Sequence, residues 1–301
     1  MVVEHLPSLE SANNLSSHLN DYISYYKSLD APGYAVLVTG EWGTGKTHQV
    51  KQCIPEAERY YVSLFGLQTV EQLHAEVYAV ASPRIAKAKA ALNKVSEGVA
   101  GVGGPFALAN LTPSVFNAVF KQELKTDRTL IFDDLERSNL ALKDVLGAIN
   151  GYVEQQGFRV VVITHDEKMA EEFLQWKEKT FGQTIRVEPQ VKEAMNSDLA
   201  GIKNIEAKHF LAKHREVILG VFESSNLKSL RILRHVIEDI ERLFSCLSDK
   251  HLTNPDAMLE LVGLFSALDI EIRNSTLDAK ALRNRRGITS GHLIRFQTHN
   301  Q

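Results

Sequence analysis

Cysteine is nearly missing from this chain. Two occur in 301 residues, Cys53 and Cys246, and neither belongs to a CxxC pair. That usage suits a reducing compartment and argues against a structural zinc site. The eleven histidines form no HExxH, and His209 and His214 are five apart, off one helical face, so a metal-histidine site is not expected. An excess of charge is also missing: the net charge of -3 provides no broad field for nucleic acid or an anionic membrane. The opening stretch, MVVEHLPSLESANNLSSHLND, has early acids and no apolar core flanked by basic residues. No secretory signal is therefore expected, and the cytoplasm is the expected location. No internal repeat is visible.

What is present is globular composition, 44% hydrophobic and 24% charged, with length for one large domain or two ordinary ones. One stretch stands apart. From Gly98 to Phe120 no residue is charged, a length sufficient to cross a bilayer. It holds four glycines, two prolines and two asparagines, poor material for a continuous spanning helix. It reads as a Gly-rich loop followed by a buried helix, with membrane insertion as the lesser alternative.

Leu15, Leu19, Tyr22, Ile23 and Tyr26 recur at helical spacing, and Asp30-Ala31-Pro32-Gly33 supplies turn chemistry after them. Apolar strand signals follow at 35–39, 60–66, in RTLIFDDLERS, in FRVVVITHDEK and in QTIRVEP. They alternate with helical patterns and are apolar enough to be covered on both faces, which predicts a mostly parallel sheet in an α/β fold. After about residue 190 the strand signals fade. Leu230, Leu233, Ile237, Ile240 and Phe244 alternate steps of three and four, one face of an amphipathic helix. The expected organisation is an α/β domain over 1–190 and a helical domain over 191–301. The last residues have no clear period, so the chain reads as a possible piece of something longer.

The chemistry concentrates at Gly40-Glu41-Trp42-Gly43-Thr44-Gly45-Lys46-Thr47, which fits G-x-x-x-x-G-K-[ST] between a predicted strand and a predicted helix. Glycines let backbone N–H groups turn onto phosphate oxygens, and the helix N-terminus adds its positive end. Lys46 then reaches the β and γ phosphates, and the Thr47 hydroxyl completes a magnesium shell. The candidate nucleotide-binding set is therefore Gly40, Glu41, Trp42, Gly43, Thr44, Gly45, Lys46, Thr47 and the adjoining His48. Trp42 is not needed for phosphate contact and is expected to pack the loop against the helical domain or a partner subunit. Asp133 closes an apolar run and is the expected carboxylate for the metal. Asp134 is placed to orient or deprotonate an attacking water, with Glu136 in reserve. Capping of a following helix, where acids are favoured, is the competing reading of both. Thr164, at the tip of VVVITHDE, is the candidate γ-phosphate sensor, with His165 and Asp166 as competitors, and capping explains Thr164 or Asp166 nearly as well. Lys228, Arg231 and Arg234 lie beside the apolar stripe of the helical domain. One of them reaching the phosphates would couple nucleotide state to the angle between domains, and a solvated basic face explains them as well.

Taken together, GEWGTGKT with its internal tryptophan, IFDDLERS and NLKSLRILR resemble the KAP family of P-loop NTPases, a branch near AAA+ and STAND ATPases. YYVSLFGLQTVEQL is similar to a bacterial subgroup of these, and the resemblance spans roughly residues 12–245. Glu136 stands where the family more usually has Asp, and Lys228 where it has Arg. The resemblance implies a three-layer fold with sheet order 5-1-4-3-2 and a helical lid. It implies ATP with Mg2+ rather than GTP, in keeping with the lack of an Asn-Lys-x-Asp motif. It implies a nucleotide-driven switch, and several bacterial relatives act in antiphage or other defence. Many members carry membrane helices between the two phosphate motifs, where Gly98–Phe120 lies. AAA-like relatives often take an arginine from a neighbouring subunit, so a homo-oligomer on ATP binding is a further expectation. Arg137 is the candidate, read as opening a helix near the sheet rim. An internal salt bridge to Asp134 or Glu136 is the competing reading, and Arg159 is expected at the far end of its strand. A small-molecule kinase would need an arginine-bearing lid insertion between strands, and none is found. An ATP-binding scaffold with little hydrolysis is the other alternative, against which the paired acids 133 and 134 argue.

Overall fold

A computed structural model describes residues 17–81, 124–165 and 171–283. The run Gly98–Phe120 and Asp166 lie outside them. Among the described residues, no helix is long and apolar enough to cross a membrane.

The chain divides into two compact units, one of residues 15–41 and 45–188, the other of 1–14, 42–44 and 189–301. Among the described residues the first is built on five strands: β1 (Ala35–Thr39), β2 (Arg59–Ser63), β3 (Thr129–Asp133), β4 (Val160–Ile163) and β5 (Phe181–Arg186). Every described pairing is parallel, and the order is β2-β3-β4-β1-β5. Read from the other edge this is the implied 5-1-4-3-2. Position in the sheet explains the composition of each strand. Central β1, β3 and β4 are buried at every residue, whereas β2 and β5 at the edges carry partly exposed residues. A strand covered on both faces has no place for a polar side chain except at its ends.

Helices cover both faces, giving three layers. On one face α1 (Ser17–Lys27) and α2 (Lys46–Cys53), with Ile54 just after it, set Leu19, Ile23, Val50 and Ile54 against Val36, Val38, Ile131, Val161 and Ile163. On the other, α3 (Val70–Ala81) and α4 (Leu142–Asn150) set Leu73, Val77, Val145 and Ile149 against Leu37, Val62, Phe132 and Val162. Where β5 meets β1 the register slips, Ala35 facing Phe181 and Val36 facing Gln183. Gly182 is the extra residue of that bulge, and a Cβ there would strike the Tyr34 ring.

The second unit is helical: α5 (Val191–Gly201), α6 (Ile205–Lys213), α7 (Arg215–Ser224), α8 (Leu230–Cys246) and α9 (Pro255–Arg273). Of the stripe predicted on α8, Leu233, Ile237, Ile240 and Phe244 are buried and Leu230 is half-buried. The four buried residues meet Met195, Leu211, Phe222, Met258 and Val262 in one core. Asn204 and Asn254 cap α6 and α9 by accepting from the Ala207 and Ala257 amides. Within this unit the Leu230 amide donates to the Gly43 carbonyl at 2.9 Å.

Tyr26 links α1 to the start of two strands. Its buried hydroxyl donates to the Tyr34 carbonyl at 2.6 Å and accepts from the Val160 amide at 3.0 Å. Burial pushes the phenol up, so it stays a donor. Tyr26→Phe leaves both backbone groups without that partner and is expected to lower stability by about 1–3 kcal/mol. A urea midpoint equal to wild type would show that the helix is held by packing alone.

Candidate functional site

The predicted phosphate residues occupy the turn from β1 into α2. Two of its glycines are needed for backbone geometry. Gly43 has φ 79° and Gly45, the residue before α2, has φ 84°, left-handed values that an L side chain resists. The turn leads into the N-terminal end of α2, where backbone donors and the helix dipole favour an anion. Lys46 opens α2 and curls back, its Nζ donating to the carbonyls of Gly40 and Glu41 at 2.8 Å each. Glu41 is 3.6 Å from Arg186 at the end of β5. Thr44 is buried, Trp42 is 37% exposed, and His48 is exposed on the first turn of α2.

Thr47, next along the helix, donates from Oγ1 to Asp133 Oδ2 at 2.7 Å. The same carboxylate oxygen accepts from the Tyr61 hydroxyl at 2.8 Å, and Oδ1 accepts from the Asp134 amide at 2.8 Å. Asp133 is 4% exposed, and these three donors are what make a buried carboxylate tolerable. Burial first, and then Asp133, push the Tyr61 phenol up, which keeps its hydroxyl a donor.

The two remaining acids part company. Asp134 has φ 59° and accepts from Ser63 Oγ, at the end of β2, at 3.1 Å; Arg137 is 3.7 Å away. Glu136 turns the other way and accepts from Thr164 Oγ1, just beyond β4, at 3.3 Å. Neither caps a long helix: a short turn spans Leu135–Arg137, and α4 begins at Leu142. Arg137 thus ends that turn instead of opening a helix, because the chain becomes extended at Ser138. Its guanidinium lies 5.6 Å from the Phe65 ring centre. Arg159 is bonded to the carbonyls of Lys27, Leu29 and Asp127, below the N-terminal end of β4. His165 is buried. Lys228 and Arg231 belong to the helical unit, one just before α8 and one in its first turn.

Tyr61 and Ser63 were not singled out from the sequence. YYVSLFG reads as a strand, and alternation puts both residues on one face. That this face meets Asp133 follows only once β2 is known to pair with β3, Ser63 opposite Asp133.

A glycine loop between first strand and helix, with its Thr bonded to an Asp closing a strand of a parallel sheet, is the arrangement of the P-loop NTPase fold. Residues 12–96 match the KAP family P-loop domain, in keeping with the resemblance of the sequence. The matched stretch takes in the loop and Tyr61; Asp133 and helices α5 to α9 lie beyond it. No curated protein matches the chain. Solved structures similar to it include C. elegans PCH-2 (TM-score 0.37, 12% identity, 90% of this chain and 74% of that one). Drosophila ORC bound to DNA is another (0.43, 14%, 95% and 72%). A DNA replication initiation factor is a third (0.34, 11%, 86% and 94%). All three are distant.

Gly45→Ala puts a Cβ into left-handed backbone at the head of α2 and is expected to destabilise by about 1–2 kcal/mol. An unshifted urea midpoint would show that the loop readily adopts another path.

Proposed function

We propose that this chain binds and hydrolyses ATP and acts as a nucleotide-driven conformational switch, residues 1–190 holding the nucleotide and 191–301 serving as a helical lid. The observation that carries the reading is the 2.7 Å bond from Thr47 to Asp133, which joins the glycine loop to the carboxylate two strands away. The donor set suits magnesium. A hydroxyl and a carboxylate are hard oxygen ligands, and among the described residues no group of three or more His, Cys, Asp or Glu is placed to hold a metal by itself. Magnesium is commonly held in this way, by one or two protein oxygens together with phosphates and water. Thr47 and Asp133 would hold it, and when bound it neutralises charge on the β and γ oxygens.

Loop amides and Lys46 take the phosphates, and an acid orients the attacking water. The sheet order supports Glu136 over Asp134 for that role. Glu136 bonds the tip of β4, which is next to β1 and its loop, whereas Asp134 bonds the tip of edge strand β2. Thr164, the partner of Glu136, is then placed to sense the γ-phosphate. Asp134 and Phe65, the neighbours of Arg137, support a structural role for that residue over a finger reaching another copy. Self-association on ATP binding, a lid role for Lys228 or Arg231, and work in defence or signalling rest on the family resemblance.

Lys46→Ala is expected to abolish tight ATP binding, read by calorimetry on the folded variant; unchanged affinity would refute the phosphate site. Glu136→Gln is expected to keep ATP bound while slowing phosphate release roughly 10²-fold or more, with Asp134→Asn affected less. The opposite ranking would return the water-orienting role to Asp134.

A further inference from the structure

We infer that Tyr61 is a positioning residue for the cation, acting through Asp133. The inference rests on the nucleotide reading above and adds a residue to it.

The case begins with the way three elements meet at one carboxylate. Thr47 and Lys51 are four apart on α2, so they share a face. Thr47 donates to Asp133 Oδ2, while Lys51 lies over the Tyr61 ring, its Nζ 3.5 Å from the centroid. From β2, Tyr61 reaches the same Oδ2 at 2.8 Å. The register Tyr61–Ile131 sets it two residues back from the strand tip, so the hydroxyl at the far end of a long side chain arrives beside Asp133. The ring alone would satisfy packing against Lys51, and phenylalanine would serve for that. The hydroxyl is the part that packing does not explain.

A donor at this place has a specific consequence. Asp133 can turn its carboxylate about one torsion, and its plane is set by whatever bonds both oxygens. The Asp134 amide holds Oδ1; on Oδ2 the donors are Thr47 and Tyr61. The Thr47 oxygen is itself a prospective cation ligand, so its geometry is open to change when a cation arrives. Tyr61 is not a ligand and lies on the sheet, so its bond persists. It therefore keeps the carboxylate aimed without touching cation or nucleotide. Partners of this outer kind typically alter metal affinity by 10–100-fold when removed.

Tyr61→Phe in the full chain removes the hydroxyl and keeps the ring under Lys51. Binding of a fluorescent ADP is measured in EDTA and across a magnesium titration, and bound Mn2+ is counted by electron paramagnetic resonance with ADP present. In EDTA the affinity is expected to stay within about twofold of wild type. The magnesium concentration for half-maximal tightening is expected to rise about tenfold, and bound Mn2+ to fall in step. Tyr60→Phe, on the opposite face of β2 in the other core, is expected to change neither. An unshifted magnesium midpoint overturns the inference. So does an equal loss of affinity with and without the cation, which would make Tyr61 a support of the loop. A Tyr61→Phe chain without native circular dichroism assigns the hydroxyl to stability and overturns it as well. Wild-type protein that binds no ADP at any magnesium concentration refutes the nucleotide reading itself, and this inference with it.

Discussion

Asp133 is a carboxylate held almost wholly out of water at the end of a strand that is buried along its whole length. Burying such a group is costly unless donors surround it, and here they come from α2, from β2 and from the next residue of its own chain. That requirement ties elements together that no apolar contact would place so exactly in register. Apolar contact has no direction, whereas a hydroxyl donating to a carboxylate oxygen at 2.7 Å fixes both distance and angle. The glycine loop is thus anchored to the sheet at two points, by the chain leaving β1 and by Thr47 reaching across to β3.

The same logic explains why chemistry gathers at one end of the strands. β1, β3 and β4 are buried throughout, so polar side chains can appear only where they stop. At the carboxyl ends they are Asp133, Thr164 and the loop after Thr39. At the opposite end Arg159 spends its guanidinium on backbone carbonyls left over where helices and strands begin and end. One end binds its own backbone, and the other presents groups suited to phosphate and a cation.

How much of this could be read from residues alone depends on distance along the chain. The loop Gly40–Thr47 was legible as a strand-to-helix turn because its pattern is contained within eight residues. Asp133, Asp134 and Glu136 were legible as acids after an apolar run, and the alternation of strands and helices indicated a parallel sheet. The strand order came from family resemblance, since no local pattern encodes it. Tyr61 lies 72 residues from Asp133, and only pairing of β2 with β3 makes its hydroxyl relevant. Arg137 was expected to open a helix near the sheet rim, but the turn at Leu135–Arg137 ends in extended chain before α4. On α8 the periodic stripe was legible almost residue by residue, since an amphipathic face is a local property.

The left-handed backbone at Asp134 bears on how the two aspartates should be read. Asp and Asn are among the few residues with a side chain that adopt φ near 60° readily. The kink there allows Asp133 to accept the amide of the following residue. It also sends the side chain of Asp134 to Ser63 and that of Glu136 to Thr164, on opposite sides of β3. The second aspartate is therefore accounted for by backbone geometry and by its bond to Ser63, with no catalytic duty required. Glu136 has no such backbone role: it sits inside a turn that many residues would form, yet its carboxylate is directed at the strand next to the glycine loop. An acid whose position backbone geometry does not demand, facing the strand beside the phosphate loop, is the stronger candidate for the chemistry.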